Sequence, residues 1–214
     1  MTDSDEAPPQ DKFFGLSGTG RGIWEINRPQ KVILELVERD IFHGEILDIG
    51  CGIADNAIHI STHAKDAHIT GIDMVPEAIE VAREKAQKNN ANIQFEVVNM
   101  LDDVSQTNLK QHSYDIVLDS ATFHVFSNED RLKYMKNLEK LIKPGGLYIQ
   151  IACSEKEERQ TRPRRIKQSD LNELFSPANG WIIKSTEDTI YEATPDCPYG
   201  TDFRSYLSFI QKTI

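Results

Sequence analysis

At 214 residues, 39% of them hydrophobic, the chain suits one domain that buries a single core without disulfides. Its formal net charge of −10 argues against a protein whose main task is holding nucleic-acid phosphates and favours a small-molecule partner. Cys51, Cys153 and Cys197 stand at scattered spacings with no Cys-x-x-Cys or Cys/His pattern, so no metal site is expected and a reduced, cytoplasmic setting is the simplest reading.

No apolar run approaches bilayer length and the first residues are acidic, so neither a membrane span nor a signal peptide is expected. Residues 1–12 are acidic, contain Pro8-Pro9 and have few apolar side chains, a composition that predicts a disordered tail. From Phe13 to Pro29, Phe13, Phe14, Leu16, Ile23, Trp24 and Ile26 alternate with glycines. That suits an arm over an apolar face, or a lid over a ligand spanning residues 13–30. Gly18-Thr-Gly20-Arg-Gly22 has no strand before it and reads as a flexible loop. Pro29 then signals a helix start, with Val32, Ile33, Leu36 and Val37 at helical spacing.

The stretch Glu45-Ile-Leu-Asp-Ile-Gly-Cys-Gly-Ile-Ala-Asp-Asn56 organises the chain. Ile46, Leu47 and Ile49 make a short apolar strand, Gly50 and Gly52 break it, and a helix follows from Ala54 to about His63 with Ala57, Ile58, Ile60 and Ala64 toward the sheet. Glycines there let a ligand approach the backbone. Roughly twenty residues on, the spacing that lets a second strand's carboxylate reach a ribose, comes Gly71-Ile-Asp73. Asp73 can instead cap the helix that begins at Pro76, and Asn56 can orient a ligand or cap its own helix. Met74 is placed to pack on a base. His59, His63 and His68 make no convincing ligand set and are expected at the surface.

Pro76 to Asn89 reads as a helix buried through Ala78, Ile79, Ala82 and Ala86, followed by a third strand, Asn92 to Val98. Asn99-Met-Leu-Asp102 comes next, where the Asn99 carbonyl can accept from an exocyclic amine and Met100 or Asp102 can take part. A fourth strand, Tyr114 to Asp119, leads into Asp119-Ser-Ala-Thr-Phe-His-Val-Phe126 at the carboxyl edge of the sheet. His124 there can act as a base or orient an acceptor, or it can be packed between Phe123 and Phe126. A helix from Asn128 to Ile142 with Leu132, Met135, Leu138 and Leu141 on one side precedes Lys143-Pro-Gly-Gly146 and a fifth strand, Leu147 to Ala152. Ser154 to Lys167 is charged and carries Arg159, Arg162, Arg164 and Arg165, either a solvated loop or a second lid whose arginines meet an anionic acceptor. Ser169 suits the N-cap of a helix Asp170 to Phe175, and Trp181 to Ser185 and Phe203 to Ile210 read as final antiparallel strands.

Ile46-Leu-Asp-Ile-Gly-Cys-Gly52 resembles the first motif of class I S-adenosylmethionine-dependent methyltransferases, and Leu141-Ile-Lys-Pro-Gly-Gly-Leu147 resembles the turn before their fifth strand. Trp24-Glu-Ile-Asn-Arg28-Pro-Gln30 is similar to a segment of the small-molecule branch related to thiol, thiopurine and tellurite methyltransferases. The resemblance implies an α/β fold: a Rossmann-like, seven-stranded, mostly parallel sheet with helices on both faces and an antiparallel final strand. It also implies S-adenosyl-L-methionine as cofactor. Asp48 agrees, because a carboxylate before the turn repels a pyrophosphate but suits a cationic amino-acid moiety. Expected donor contacts are Trp24, Asp48, Gly50, Cys51, Gly52, Asn56, Asp73, Met74, Asn99, Met100 and Asp119; expected catalytic residues are Asp119 and His124; expected acceptor contacts are Phe123, His124 and Arg162. The implied acceptor is a small molecule, a thiol or other soft nucleophile favoured. Alternatives are O- or N-methylation of a metabolite, a sensor that binds the donor without turnover, and protein or RNA methylation through the arginine cluster. The oligomeric state is left open, a monomer being one choice.

Overall fold

The computed structural model describes Pro8, residues 11–159 and residues 164–213. A short helix α1 (Asp11–Phe14) and helix α2 (Lys31–Glu38) precede strand β1 (Gly44–Ile49). Helix α3 (Asp55–His63), strand β2 (Ala67–Asp73), helix α4 (Pro76–Lys88) and strand β3 (Ile93–Val97) complete the first half. The second half holds β4 (Tyr114–Ser120), α5 (Asn128–Leu141), β5 (Ile142–Cys153), α6 (Gln168–Leu174), β6 (Trp181–Glu192) and β7 (Asp202–Lys212).

The strands form one sheet in the order β3-β2-β1-β4-β5-β7-β6. β7 runs antiparallel to both of its neighbours, and the remaining pairings are parallel. The sheet order reverses direction between β1 and β4, where parallel α/β sheets open a crevice beyond their carboxyl ends. Alternation along β1 sends Ile46 to one core with α2 and α3, and Leu47 and Ile49 to the other with α5 and Tyr148. Both faces are therefore covered, as a parallel sheet requires.

The helix periods follow the sequence with two corrections. Along α5, Arg131, Tyr134, Met135, Leu138 and Leu141 face inward while Leu132 is 55% exposed. Met135, Leu138 and Leu141 are thus buried as expected, while Arg131 and Tyr134 take the inward place expected of Leu132. The helix expected to be capped by Ser169 begins two residues earlier, with Lys167 at its N-cap and Ser169 inside it.

From Asp11 onward the amino-terminal segment is built into the fold. Asp11 and Lys12 belong to α1, whereas most of the expected tail lies outside the described residues. The glycine loop read as flexible is gathered around buried Glu25, whose carboxylate accepts hydrogen bonds from Gly18 N–H (2.5 Å) and Gly20 N–H (2.8 Å). Gly18 lies so close to the start of α4 that a Cβ there would sit 2.7 Å from Ala78 N. A buried carboxylate ordering two amides fixes a segment that its glycines alone would leave loose.

Candidate active site

A cavity of about 830 Å³ opens at the carboxyl edge of β1, β2 and β4. Its floor is the turn after β1. Gly50 has φ +66, and a Cβ there would lie 2.0 Å from Thr122 Oγ1, so the backbone reverses only because no side chain is present. Thr122 fills the space and donates to Ile49 O at 3.0 Å. Gly52 has no atom within 4 Å of where a Cβ would lie, leaving the cavity side of the turn open to a ligand.

Asp73 holds this turn from the neighbouring strand. Gly52 N–H and Val75 N–H each donate to its carboxylate at 2.9 Å. It therefore braces the turn and the approach to α4, although α4 has no side-chain cap. Burial pushes its carboxyl above the usual range, against the pull of those amides. Asp48 is more extreme: 2% exposed, on the cavity wall, with Oδ2 lacking any hydrogen-bond partner. Burial first, then the nearby Asp119 and Asp73, push its carboxyl up to about 8. Burial likewise raises the Cys51 thiol, so Cys51 contributes a neutral surface to the wall.

An orphaned carboxylate beside an open glycine turn fits the cationic amino-acid end of S-adenosylmethionine and does not fit a pyrophosphate. Trp24, Asn56, Met74, Asn99 and Met100 also reach the wall. Asn56 joins three segments, accepting from Gln30 N–H at 2.9 Å and donating to Ser120 Oγ at 3.3 Å. Asn99 Oδ1 accepts from Leu101 N–H at 3.0 Å, and the Met100 carbonyl accepts from Asn137 Nδ2 at 2.9 Å, which fixes the loop after β3.

Two expected catalytic groups have other work in this geometry. Asp119 is fully buried and lies behind the cavity wall, not on it. Its carboxyl accepts from Thr122 and Phe123 amides, from Tyr134 OH (2.5 Å) and from Tyr148 OH (3.0 Å). Its oxygens are thus committed to the loop and to two phenols, away from the cavity surface. Phe123 is also off the wall, packed on Tyr134 and Phe175 in the core.

His124 does reach the cavity, but as a held side chain. Its Nδ1 accepts from Cys153 N–H at 3.1 Å, so that nitrogen carries no proton. Burial, then the Arg131 charge, push its conjugate acid down to about 3 against a hydrogen bond to the Ala121 backbone. A neutral imidazole with an occupied acceptor nitrogen is a poor base; it ties the loop after β4 to the end of β5. His124→Ala is accordingly expected to lower turnover by about tenfold through loop disorder, with no change in the position of the acid limb of the pH–rate profile. Loss of an acid limb in the variant would restore the base.

Arg162 lies outside the described residues. Its neighbours are turned to the protein itself. Arg164 donates to Phe126 O and Asn128 Oδ1, both at 2.9 Å, and Arg165 donates to Glu157 O at 3.0 Å. The described residues of the charged stretch, 154–159 and 164–167, form a strap tied across the edge of the sheet, a departure from the solvated-loop expectation.

Sequence reasoning missed the far wall, formed by Tyr191, Ala193, Tyr199, Phe203 and Ser205 at the β6–β7 end. It also missed Gln30 as its tether: Gln30 Nε2 donates to Glu192 O at 2.9 Å, and Glu192 N–H donates back to Gln30 Oε1 at 2.8 Å. Arg28 forms a two-pronged pair with Glu192 at 2.9 and 3.0 Å. The Trp24–Gln30 segment itself was the available signal, since a polar Arg-Pro-Gln run between apolar stretches needs partners.

Comparison with known proteins agrees with this architecture. A family model described as a methyltransferase domain matches residues 43–194. A 2-heptyl-1-hydroxyquinolin-4(1H)-one methyltransferase of Mycobacteroides abscessus is 32% identical over 130 residues, covering 60% of this chain and 55% of that protein. A probable thiol methyltransferase 2 of Arabidopsis thaliana is 26% identical, covering 74% of this chain and 68% of that one. The chain spans about half or less of the length of the first curated relatives it matches. Among solved structures, one described under the conversion of a disulfide bond into a thioacetal group during echinomycin biosynthesis superposes with a TM-score of 0.76 at 24% identity, over 89% of this chain and 84% of that one. With the family model covering most of its length, the chain belongs to the methyltransferase domain family.

Proposed function

We propose that the protein transfers a methyl group from S-adenosyl-L-methionine to a small molecule, with a thiol or another soft nucleophile as the favoured acceptor. The observation that carries this reading is one cavity with two chemically different halves: a glycine turn flanked by Asp48 and Asp73, and a wall of Trp24, Tyr191, Tyr199 and Phe203. The acidic half suits a cationic nucleoside donor held at Asp48, Gly52 and Asp73, with Met74 and Asn99 at the base. When bound, that donor supplies an activated methyl group on a sulfonium.

The residues around it align the acceptor and exclude water, which is most of what an in-line displacement needs. Neither Asp119 nor His124 is placed to take a proton, which favours acceptors that are nucleophilic through an anion already partly populated near neutral pH, such as thiols. The 26% identical relative named for thiol methylation supports that choice. A second reading, methylation of a heteroaromatic hydroxyl, draws support from the 32% identical relative named for a hydroxyquinolone.

The test is production of S-adenosylhomocysteine by the purified protein with thiophenol, butanethiol, a phenol, an amine and a 1-hydroxyquinolone. Turnover with thiols supports the favoured acceptor, and turnover confined to the hydroxyquinolone transfers the assignment to oxygen. Donor binding with no turnover on any acceptor would leave a sensor. Asp73→Ala is expected to weaken donor binding by about tenfold to a hundredfold, since it removes a ligand group and frees the Gly52 amide; unchanged affinity by calorimetry would overturn the placement.

A further inference from the structure

At its β7 end the far wall of the cavity is held by a buried carboxylate and an arginine. Glu157 is 2% exposed. Its Oε1 accepts from Arg159 N–H (3.0 Å) and Nε (2.8 Å), and its Oε2 from Arg159 Nη2 (2.8 Å) and Arg204 N–H (3.0 Å). The guanidinium also reaches the chain that enters β7, donating from Nη1 to Tyr199 O at 2.9 Å and from Nη2 to Asp202 O. It lies over the Phe203 ring, 5.0 Å from the centroid.

Tyr199 and Phe203 are the two aromatic residues this arginine grips, and both line the cavity. Phe203 continues into a small apolar cluster with Ala193, Cys197, Ile23 and Tyr191, and Thr194 N–H donates to Ile23 O at 2.8 Å. The amino-terminal arm, the strap after β5 and the β6–β7 loop therefore meet at one place. Nothing in Glu157 or Arg159 touches the glycine turn or the Asp73 side, where the donor is assigned.

We propose that Arg159, oriented by Glu157, is a positioning residue that fixes Tyr199 and Phe203 as the acceptor wall and so decides which acceptors fit. The role rests on the methyltransferase reading for its kinetic consequence, but the anchoring itself does not. Lysine cannot replace the planar fork that spans Glu157, Tyr199 O and Asp202 O at once, so a retained positive charge is not enough.

The test compares wild type, Arg159→Lys, Arg159→Gln and Glu157→Gln. Hydrogen exchange is expected to quicken at least tenfold at residues 199–203 in the Arg159 variants, with the amides of residues 50–56 unchanged. Donor affinity by calorimetry should stay within about twofold. With thiophenol and butanethiol as acceptors, KM for the flat aromatic should rise by about tenfold in both Arg159 variants while that for the aliphatic thiol changes little. Unaltered exchange at 199–203 overturns the proposal whether or not any acceptor is turned over. Equal loss for both acceptors together with lost donor affinity overturns it in favour of general destabilisation. Wild type that turns over no acceptor defeats the function proposed above, while the exchange result still decides the anchoring; full rescue by lysine removes the fork argument.

Discussion

Asp119→Ala is expected to lower the free energy of unfolding by about 3–4 kcal/mol, a loss large enough to threaten folding. The side chain makes no contact with the cavity, so the effect comes from what it leaves behind. Two loop amides and two buried phenols, Tyr134 and Tyr148, lose their acceptor in a place water does not reach. Asp119→Asn tests the same point more finely. It keeps the shape and one acceptor oxygen but sets an NH₂ group against donors, for which about 2 kcal/mol is expected. Urea unfolding measures the stability, and turnover normalised to folded protein measures the chemistry. A structural role gives a large drop in midpoint with most of the turnover per folded molecule retained. An unchanged midpoint with turnover lost would return Asp119 to the catalytic list.

The sheet and the glycine-turn half of the cavity were legible because local rules carry them. The β1 turn shows its strand, glycines and helix within about a dozen residues, and Asp73 follows at the spacing the fold demands. Asp119 and His124 were also rightly brought to the carboxyl edge. What the sequence does not show is the set of partners that tertiary packing brings to them, because position along a strand says nothing of distant donors: Tyr134 and Tyr148 come from α5 and β5, and the Cys153 amide from the end of β5. The far wall was invisible for a related reason. Tyr199 sits in the loop before β7, which carries no periodic signal, and although Phe203 falls in a legible strand, the anchors of both at Glu157 and Arg159 are about 40 residues away. A run of arginines looks the same in sequence whether its guanidinium groups face solvent, an anion or backbone carbonyls.

Asp48 carries the clearest pH signature. In the unfolded chain its carboxyl ionises near 3.8, and in the folded protein only at about 8, because it is buried with Asp119 and Asp73 close by. Between those values the folded state holds a proton that the unfolded state has lost, so this residue removes stability as pH rises through the window. Asp48→Asn takes away that cost and is expected to raise stability by about 2 kcal/mol at pH 7 in the absence of donor. The same substitution should weaken donor binding. A cationic donor prefers the carboxylate, so below pH 8 binding must first expel the proton. Affinity for S-adenosylmethionine is therefore expected to rise with pH by up to about tenfold per unit between pH 5.5 and 7.5. The range stops there because the donor's own α-amino group begins to lose its charge near pH 8, as free α-amino groups do at about 7.7–8.0. Calorimetry in buffers of different ionisation enthalpy should register close to one proton released on binding in wild type and none in Asp48→Asn, whose affinity should be lower at pH 7.5 and flat across the range. Two other groups near Asp48, the Cys51 thiol and the Tyr191 phenol, are both raised by burial and stay protonated throughout, so neither supplies such a slope. A slope that persists in Asp48→Asn would move the titration to Asp73, whose carboxyl is also raised but whose two amide donors favour its charged form.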